Sequence, residues 1–368
     1  MVDAILKKSS ILIFAQGLAR VIGFLYTIFL AKNLAVDEFG LYATALAYFS
    51  LVSIFSDFGF NRFLIREVSI NKERLPQVLF NITILRLTFS AILFCLFSIG
   101  LYVFDPDRIR GNLSMLAILA VLPQTVAASI DGVFIALQKL KLSSISTLIL
   151  SITNVTLGVF LVNLKYGPLG VVTALIFAHI GYLLFLFYCL KRENLKIFSP
   201  PTPSVFKQVL SGSLAYGLLG IMGLIYFKID TLFLSYIRGN FETGLYSVSY
   251  KFLEAVILIP SAVSAVIFPA LAKLHQGSLP QLKKYYFSSL KLMGILGVLV
   301  FTCYLVILPV MINILLPKYI PAIPVIQLLS FTIPFMFIHT PSTLLLLSSE
   351  KYLKQVMFFS FIMMLFNV

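Results

Sequence analysis

Eleven apolar segments, most of them about twenty residues or longer, follow one another along this 368-residue chain and leave its backbone few options. A bilayer core about 30 Å thick takes roughly 20 residues of helix to cross. A segment in lipid must also satisfy its own N–H and C=O groups, which a helix does. Six segments come first: Ile11–Ala31, Leu41–Phe60, Val78–Phe104, Leu113–Leu137, Leu142–Leu164 and Leu169–Leu190. Five more follow a polar, proline-rich stretch: Val209–Ile237, Leu245–Leu271, Leu292–Leu316, Ile323–Leu347 and Leu353–Val368. The chain is 60% hydrophobic and 11% charged, against roughly 45–50% and 25% in a soluble domain. The fold class is therefore an all-α polytopic membrane protein.

The net charge of +14 invites a nucleic-acid reading, but the bases are distributed by loop. Eighteen of the 28 lysines and arginines fall in one set of alternate connections and six in the other, with four inside spans. That bias orients the chain with its N-terminus in the cytoplasm of a multi-pass inner (plasma) membrane protein, and nucleic acid is set aside. The first span is too long for a cleavable signal peptide, carries Arg20 near its middle and has no small-residue cleavage site. Cys95, Cys189 and Cys303 lie in apolar runs without metal or disulfide spacing.

The longest basic connection contains Pro200-Pro201-Thr202-Pro203 and divides the chain. Residues 1–190 form an expected six-helix bundle, 191–207 a cytoplasmic linker, and 208–368 a second bundle of five spans. The two parts echo each other. Gly40-Leu41-Tyr42 recurs as Gly244-Leu245-Tyr246, each after a short acidic loop, at an offset of 204 residues. Transporters are often built from such repeats, with the substrate path between them. Carried forward, the same offset maps the fifth span onto 346–368 and the sixth beyond residue 368, so a twelfth helix is expected to be missing from this chain.

Eight charged residues fall inside the spans: Arg20, Asp57, Arg86, Asp131, Lys228, Asp230, Lys251 and Glu254. Each costs roughly 2.5–3.5 kcal/mol at mid-membrane on insertion scales. At about 1.5 Å per residue, Arg20, Arg86, Lys251 and Glu254 reach the middle of the bilayer. Asp57 and Asp131 fall nearer the cytoplasmic ends, and Lys228 and Asp230 near the outer end. Three bases against one acid at the midplane suit an anionic substrate, although internal pairing is the competing account. Lys251 is balanced between the two because Glu254 lies three residues on. Polar stripes add detail: Gln16, Arg20, Gly23 and Thr27 on the first span, and Ser50, Ser53, Asp57 and Asn61 on the second. Each contains a charge and reads as lining a water-filled cavity. The fifth span's Thr147, Ser151, Asn154 and Gly158 read as helix packing, and His179 and His339 as packed histidines. The candidate substrate-binding set is thus Arg20, Arg86, Lys251 and Gln16. The candidate coupling or gating set is Asp57, Glu254, Asn61 and Asp131.

Enzyme signatures are missing, including a phosphate loop, His-Glu-x-x-His and Cys-x-x-Cys. No metal ligand set and no cofactor is expected, and any uphill transport relies on an ion gradient or mass action. Several stretches resemble Wzx-type polysaccharide flippases of the multidrug/oligosaccharidyl-lipid/polysaccharide (MOP) exporter superfamily, which includes the MATE transporters. They are Leu30-Ala31-Lys32-Asn33-Leu34 through Gly40-Leu41-Tyr42, Ser56-Asp57-Phe58-Gly59-Phe60 to Arg66-Glu67-Val68, and Tyr166-Gly167-Pro168-Leu169-Gly170. Gly244-Leu245-Tyr246 to Phe268-Pro269-Ala270 and Leu316-Pro317-Lys318-Tyr319 with Ala322-Ile323-Pro324 continue in family order.

The resemblance implies two pseudo-symmetric six-helix bundles in a V around a central cavity, here with the second incomplete. It also implies a cargo of a short glycan on a polyprenyl diphosphate, as in O-antigen and lipopolysaccharide synthesis, moved to the outer leaflet by alternating access. Implied partners are H+ or Na+ as coupling ions, membrane lipids, a polysaccharide polymerase and glycosyltransferases. Arginine suits the bidentate geometry of a diphosphate. Arg20-Val21-Ile22-Gly23-Phe24 also resembles a first-span pattern of lipid II flippases, but Tyr26 stands where those carry a second arginine. A lipid II flippase and a multidrug exporter are the alternatives within the superfamily, and a membrane glycan polymerase the alternative outside it.

Overall fold

The computed structural model describes residues 2–195, 199–275 and 279–348, with four single residues beyond them (355, 358, 359 and 362). The eleventh expected span, Leu353–Val368, lies outside the described residues apart from those four. Among the described residues the structure is helical, and ten stretches are long and apolar enough to cross a membrane. In chain order the helices are α1 (Val2–Asn33), α2 (Val36–Asp57), α3 (Phe60–Ile70), α4 (Leu75–Phe104), α5 (Arg108–Leu119), α6 (Val121–Ala136), α7 (Leu140–Asn163) and α8 (Gly167–Arg192). Then come α9 (Pro203–Ile237), α10 (Asn240–Val256), α11 (Leu258–His275), α12 (Leu279–Leu315), α13 (Ile323–Ser330) and α14 (Thr332–Leu347).

The helix limits carry the repeat that the triplet announced. Helix α1 ends at Asn33 and α9 at Ile237; α2 starts at Val36 and α10 at Asn240; α4 starts at Leu75 and α12 at Leu279. Each pair is separated by the same 204 residues as the triplet. The echo therefore belongs to the architecture, not to a chance match of three residues.

Three expected spans are each built from two helices, and proline explains all three breaks. The interruptions at Ala120, Ile257 and Phe331 lie three residues before Pro123, Pro260 and Pro334. A proline inside a helix has no N–H and its ring crowds the carbonyl four residues back. That carbonyl belongs to Leu119, Val256 or Ser330, the last residue of the preceding helix in every case.

The break between α2 and α3 has another cause. Phe58 and Gly59 both adopt left-handed backbone, with φ of 40° and 77°, a pairing in which glycine at the second position avoids Cβ strain. The chain then runs on as α3, whose Phe60, Phe63, Leu64 and Val68 are buried. Asp57 therefore does not end the helical path. It sits thirteen residues short of Ile70, while Arg86 lies eleven residues into α4. The two charges therefore meet at one level.

The fold divides into two compact units, Met1–Thr243 and Gly244–Val368. In the first, α3, α4 and α6 bury Phe60, Leu64, Val78, Ile82 and Val133 in one core, to which α9 adds Val205 and Val209. Helix α9, expected at the head of the second bundle, packs along α2 and α3 of this first unit. A Cβ on Gly217 would lie 2.7 Å from the Phe58 carbonyl oxygen, and one on Gly59 would lie 2.6 Å from the Gly217 nitrogen. The bend between α2 and α3 thus rests directly on the backbone of α9. In the second unit, Val256, Met293, Ile333 and Phe337 form one core and Ile267, Leu271 and Leu282 another.

Candidate functional site

Helix α1 positions Arg20 by its three faces. Ala15, Tyr26 and Leu30 are buried, and this side packs on α7, where the Tyr26 ring fits over Gly158 and Ser151 Oγ lies 3.5 Å from the Ala19 carbonyl oxygen. The stripe on α7 is therefore a packing surface. Phe14, Leu18, Val21 and Leu25 form an apolar exposed face. At about 100° per residue, Gln16, Arg20, Gly23 and Thr27 fall on the third face, and Gln16 and Arg20 are exposed there. A Cβ on Gly17 or Gly23 would meet nothing within 4 Å, so the surface around Arg20 is open. Arg20 has no ion pair among the described residues.

Arg86 is placed differently. It is 1% exposed, and its guanidinium pairs with Asp57 on α2. Its Nη1 donates to Ser129 Oγ at 2.8 Å and to the Thr125 carbonyl at 3.3 Å on α6, while Nε has no partner among the described residues. Arg86 thus does not face open solvent in this structure. The Asn61 backbone N–H donates to Asp57 Oδ1 at 3.3 Å, and the Asn61 side chain lies over Gly132, where a Cβ would collide with it. Asp131 accepts a hydrogen bond from Ser146 Oγ at 3.4 Å. Tyr182 on α8 is within electrostatic reach of both Arg86 and Asp131. Asp57, Asn61, Arg86 and Asp131, read from three spans, therefore belong to one polar core inside the first unit. Sequence reasoning missed its neutral members Thr125, Ser129 and Tyr182. Their spacing carried a signal, since Thr125 and Ser129 lie one helical turn apart in an apolar run.

A second network at the opposite end of these helices was not expected at all. Arg110, counted above as a loop base, is 3% exposed. Its Nε and Nη2 donate to Asp105 at 2.6–3.2 Å, and its Nη1 donates to the Ser235 carbonyl. The guanidinium also lies 4.2 Å from the Tyr236 ring centre, in cation–π range. Tyr236 Oη donates to Asp105 at 3.0 Å and lies 2.7 Å from Tyr48 Oη. Thr44 donates to Ser235 Oγ at 2.9 Å. Asp107 caps α5 by accepting from the N–H groups of Ile109 and Arg110, and Asn240 Nδ2 donates to it at 2.7 Å. Burial alone would raise the Asp107 pKa, but those donors and the Arg110 charge together hold it below the usual carboxylate value.

In the second unit, Lys251 and Glu254 pair at 2.7 Å on α10. His179 is buried against the Phe49 ring, and its Nδ1 has no hydrogen-bond partner among the described residues. His339 lies beside Thr343, one turn along α14.

Comparison with known proteins places these features in a wider group. A family model described as "Polysaccharide biosynthesis protein" matches residues 5–275. An uncharacterised membrane protein of Methanocaldococcus jannaschii is 23% identical over 348 residues, covering 87% of this chain and 68% of that protein. An inward-facing multidrug resistance MATE family transporter of the MOP superfamily is similar in structure, with a TM-score of 0.68 at 15% identity, covering 95% of this chain and 84% of that one. A MOP superfamily transporter from Pyrococcus furiosus, solved with a binding pocket of reversed polarity, gives 0.53 at 14% identity, covering 97% and 86%. At these identities the structural matches establish a common fold, that of a multi-pass, all-α membrane protein.

Proposed function

We propose that this chain, which belongs to the polysaccharide biosynthesis protein family, carries a polyprenyl-diphosphate-linked oligosaccharide from the cytoplasmic to the outer leaflet of the plasma membrane by alternating access. The observation that carries this reading is Arg20. It is an exposed cation without an ion-pair partner among the described residues, on an open polar face about midway along an apolar span. Its Cα lies nine residues, about 14 Å, from the nearer end of that span. A guanidinium held there needs water or an anion, and a diphosphate offers paired oxygens to its fork of donors. Gln16, one turn earlier on the same face, supplies an amide for sugar hydroxyls.

Arg86 is the second proposed cation of the first unit, and Asp57 controls it. While Asp57 is ionised, Arg86 is held in the pair. Once Asp57 takes up a proton from the coupling gradient, the attraction falls and Arg86 becomes available to the cargo. Asn61 and Asp131 complete the proposed coupling set, with H+ or Na+ as the ion. In the second unit Lys251 plays the cationic role, restrained by Glu254. The N-terminus is cytoplasmic in this scheme, glycosyltransferases supply the loaded lipid, and a polymerase receives it.

The test is surface glycan in cells expressing Arg20→Ala or Arg20→Lys. The alanine variant is expected to abolish surface glycan with normal protein level and insertion. The lysine variant, which keeps the charge but loses the fork, should retain part of it. Normal glycan export by Arg20→Ala overturns the proposal.

A further inference from the structure

Helix α12 is 37 residues long, about 55 Å, so it extends well past a hydrocarbon core of about 30 Å. The excess is its N-terminal part, ahead of the apolar run that begins near Leu292. Here Lys284, Ser288 and Lys291 follow at spacings of four and three, which places them in one stripe. All three are exposed. Between Glu254 and Glu350 the sequence contains no aspartate or glutamate, and neither lysine has an ion pair among the described residues. Among the described residues no carboxylate balances this stripe.

Beside the stripe lies an open groove of about 470 Å³ between α11 and α12. Ala262, Val263 and Ile267 form one wall and Tyr285, Ser288, Ser289 and Leu292 the other. Ser288 therefore belongs both to the basic stripe and to the groove. The Ser289 hydroxyl is already used by the Tyr285 carbonyl. An apolar groove edged by a hydroxyl and two exposed lysines, at the boundary between hydrocarbon and headgroup, complements an acyl chain leading to a phosphate.

We propose that this groove binds one anionic phospholipid, its upper acyl chain between α11 and α12 and its phosphate on Lys284 and Lys291, with Ser288 between them. The site lies wholly within the second unit and is independent of the transport reading.

Native mass spectrometry of the purified full chain, exchanged into micelles with equal amounts of phosphatidylglycerol and phosphatidylcholine, tests it. One phosphatidylglycerol should be retained in preference. Lys284→Gln and Lys291→Gln should each weaken retention about fivefold, and the double variant about thirtyfold. Lys283→Gln removes the same charge from the opposite side of α12 and should leave retention unchanged. Ala262→Phe, an exposed groove position, should block binding without lowering the melting temperature. Equal retention of the two lipids, an equal effect of Lys283→Gln, or preferential retention of an added polyprenyl phosphate each overturns the proposal.

Discussion

Replacing Arg110 by methionine tests whether the network of Asp105, Arg110 and Tyr236 holds α9 onto α2 and α5. Both members of the ion pair are enclosed, with side-chain exposures of 4% and 1%. Methionine roughly fills the space but removes every donor. Asp105 would keep only the Tyr236 hydroxyl and the Asp107 backbone N–H, and the Ser235 carbonyl would lose the donor it has now. Stranding a buried carboxylate in this way costs about 3–5 kcal/mol. For a unit of this size each kcal/mol moves the midpoint by roughly 2–4 °C, so the melting temperature should fall by about 6–20 °C. The chain has no tryptophan, so far-ultraviolet circular dichroism of the purified protein is the suitable readout. The double variant Asp105→Asn/Arg110→Met removes the stranded charge as well and should recover more than half of the loss. A single variant melting within 2 °C of the parent, or a double variant no better than the single, would refute the reasoning.

Three further outcomes follow from the same geometry. Gly217→Val should destabilise the protein by at least about 1–3 kcal/mol, because even its Cβ meets the Phe58 carbonyl at 2.7 Å; Gly223→Ala, where a Cβ meets nothing within 4 Å, serves as the control in the same melting assay. Asp107, whose pKa is depressed in the folded state, adds stability at pH values above its unfolded pKa of about 3.9. That contribution is lost as pH falls through the lower folded value, so Asp107→Asn should flatten the acid limb of the melting-temperature profile below about pH 4. Arg86→Met should cost about 3–5 kcal/mol by leaving Asp57 half-buried without its cation, and Asp57→Asn/Arg86→Met should cost less than Arg86→Met alone, as read by denaturation midpoints.

The parts of this molecule that were legible in the sequence are those fixed by local rules. A span in lipid must close its own hydrogen bonds, so apolar length alone placed ten of the expected spans on helices, although α1 begins nine residues and α12 thirteen residues before the expected starts, and α3 was not foreseen. The repeat at Gly40 and Gly244 was legible because the same helix start was written twice. Arg20 was legible because a charge in the middle of an apolar run is costly wherever it points. What stayed hidden was pairing across distance. Nothing near Arg110 announces Ser235 and Tyr236, 125 and 126 residues away. The pairing of Asp57 with Arg86 stayed hidden too, and Phe58-Gly59-Phe60 reads as a span end, whereas two left-handed residues let the helical path resume as α3. The proline breaks were only half legible, since Pro123, Pro260 and Pro334 follow interruptions while Pro309 and Pro341 lie inside continuous helices.

The seat of the bend on Gly217 also has a consequence in time. Gly59 and Gly217 are 158 residues apart, and a ribosome adding about 5–20 residues per second needs roughly 8–30 s to make that stretch. Throughout this interval the Phe58 carbonyl and the Phe63 ring, which rest on Gly217 and Gly212 of α9, stand uncovered, because α9 has yet to emerge. Nascent chains arrested before residue 203 should therefore expose this surface to the insertion machinery, and crosslinks from Phe63 should vanish once α9 has been released.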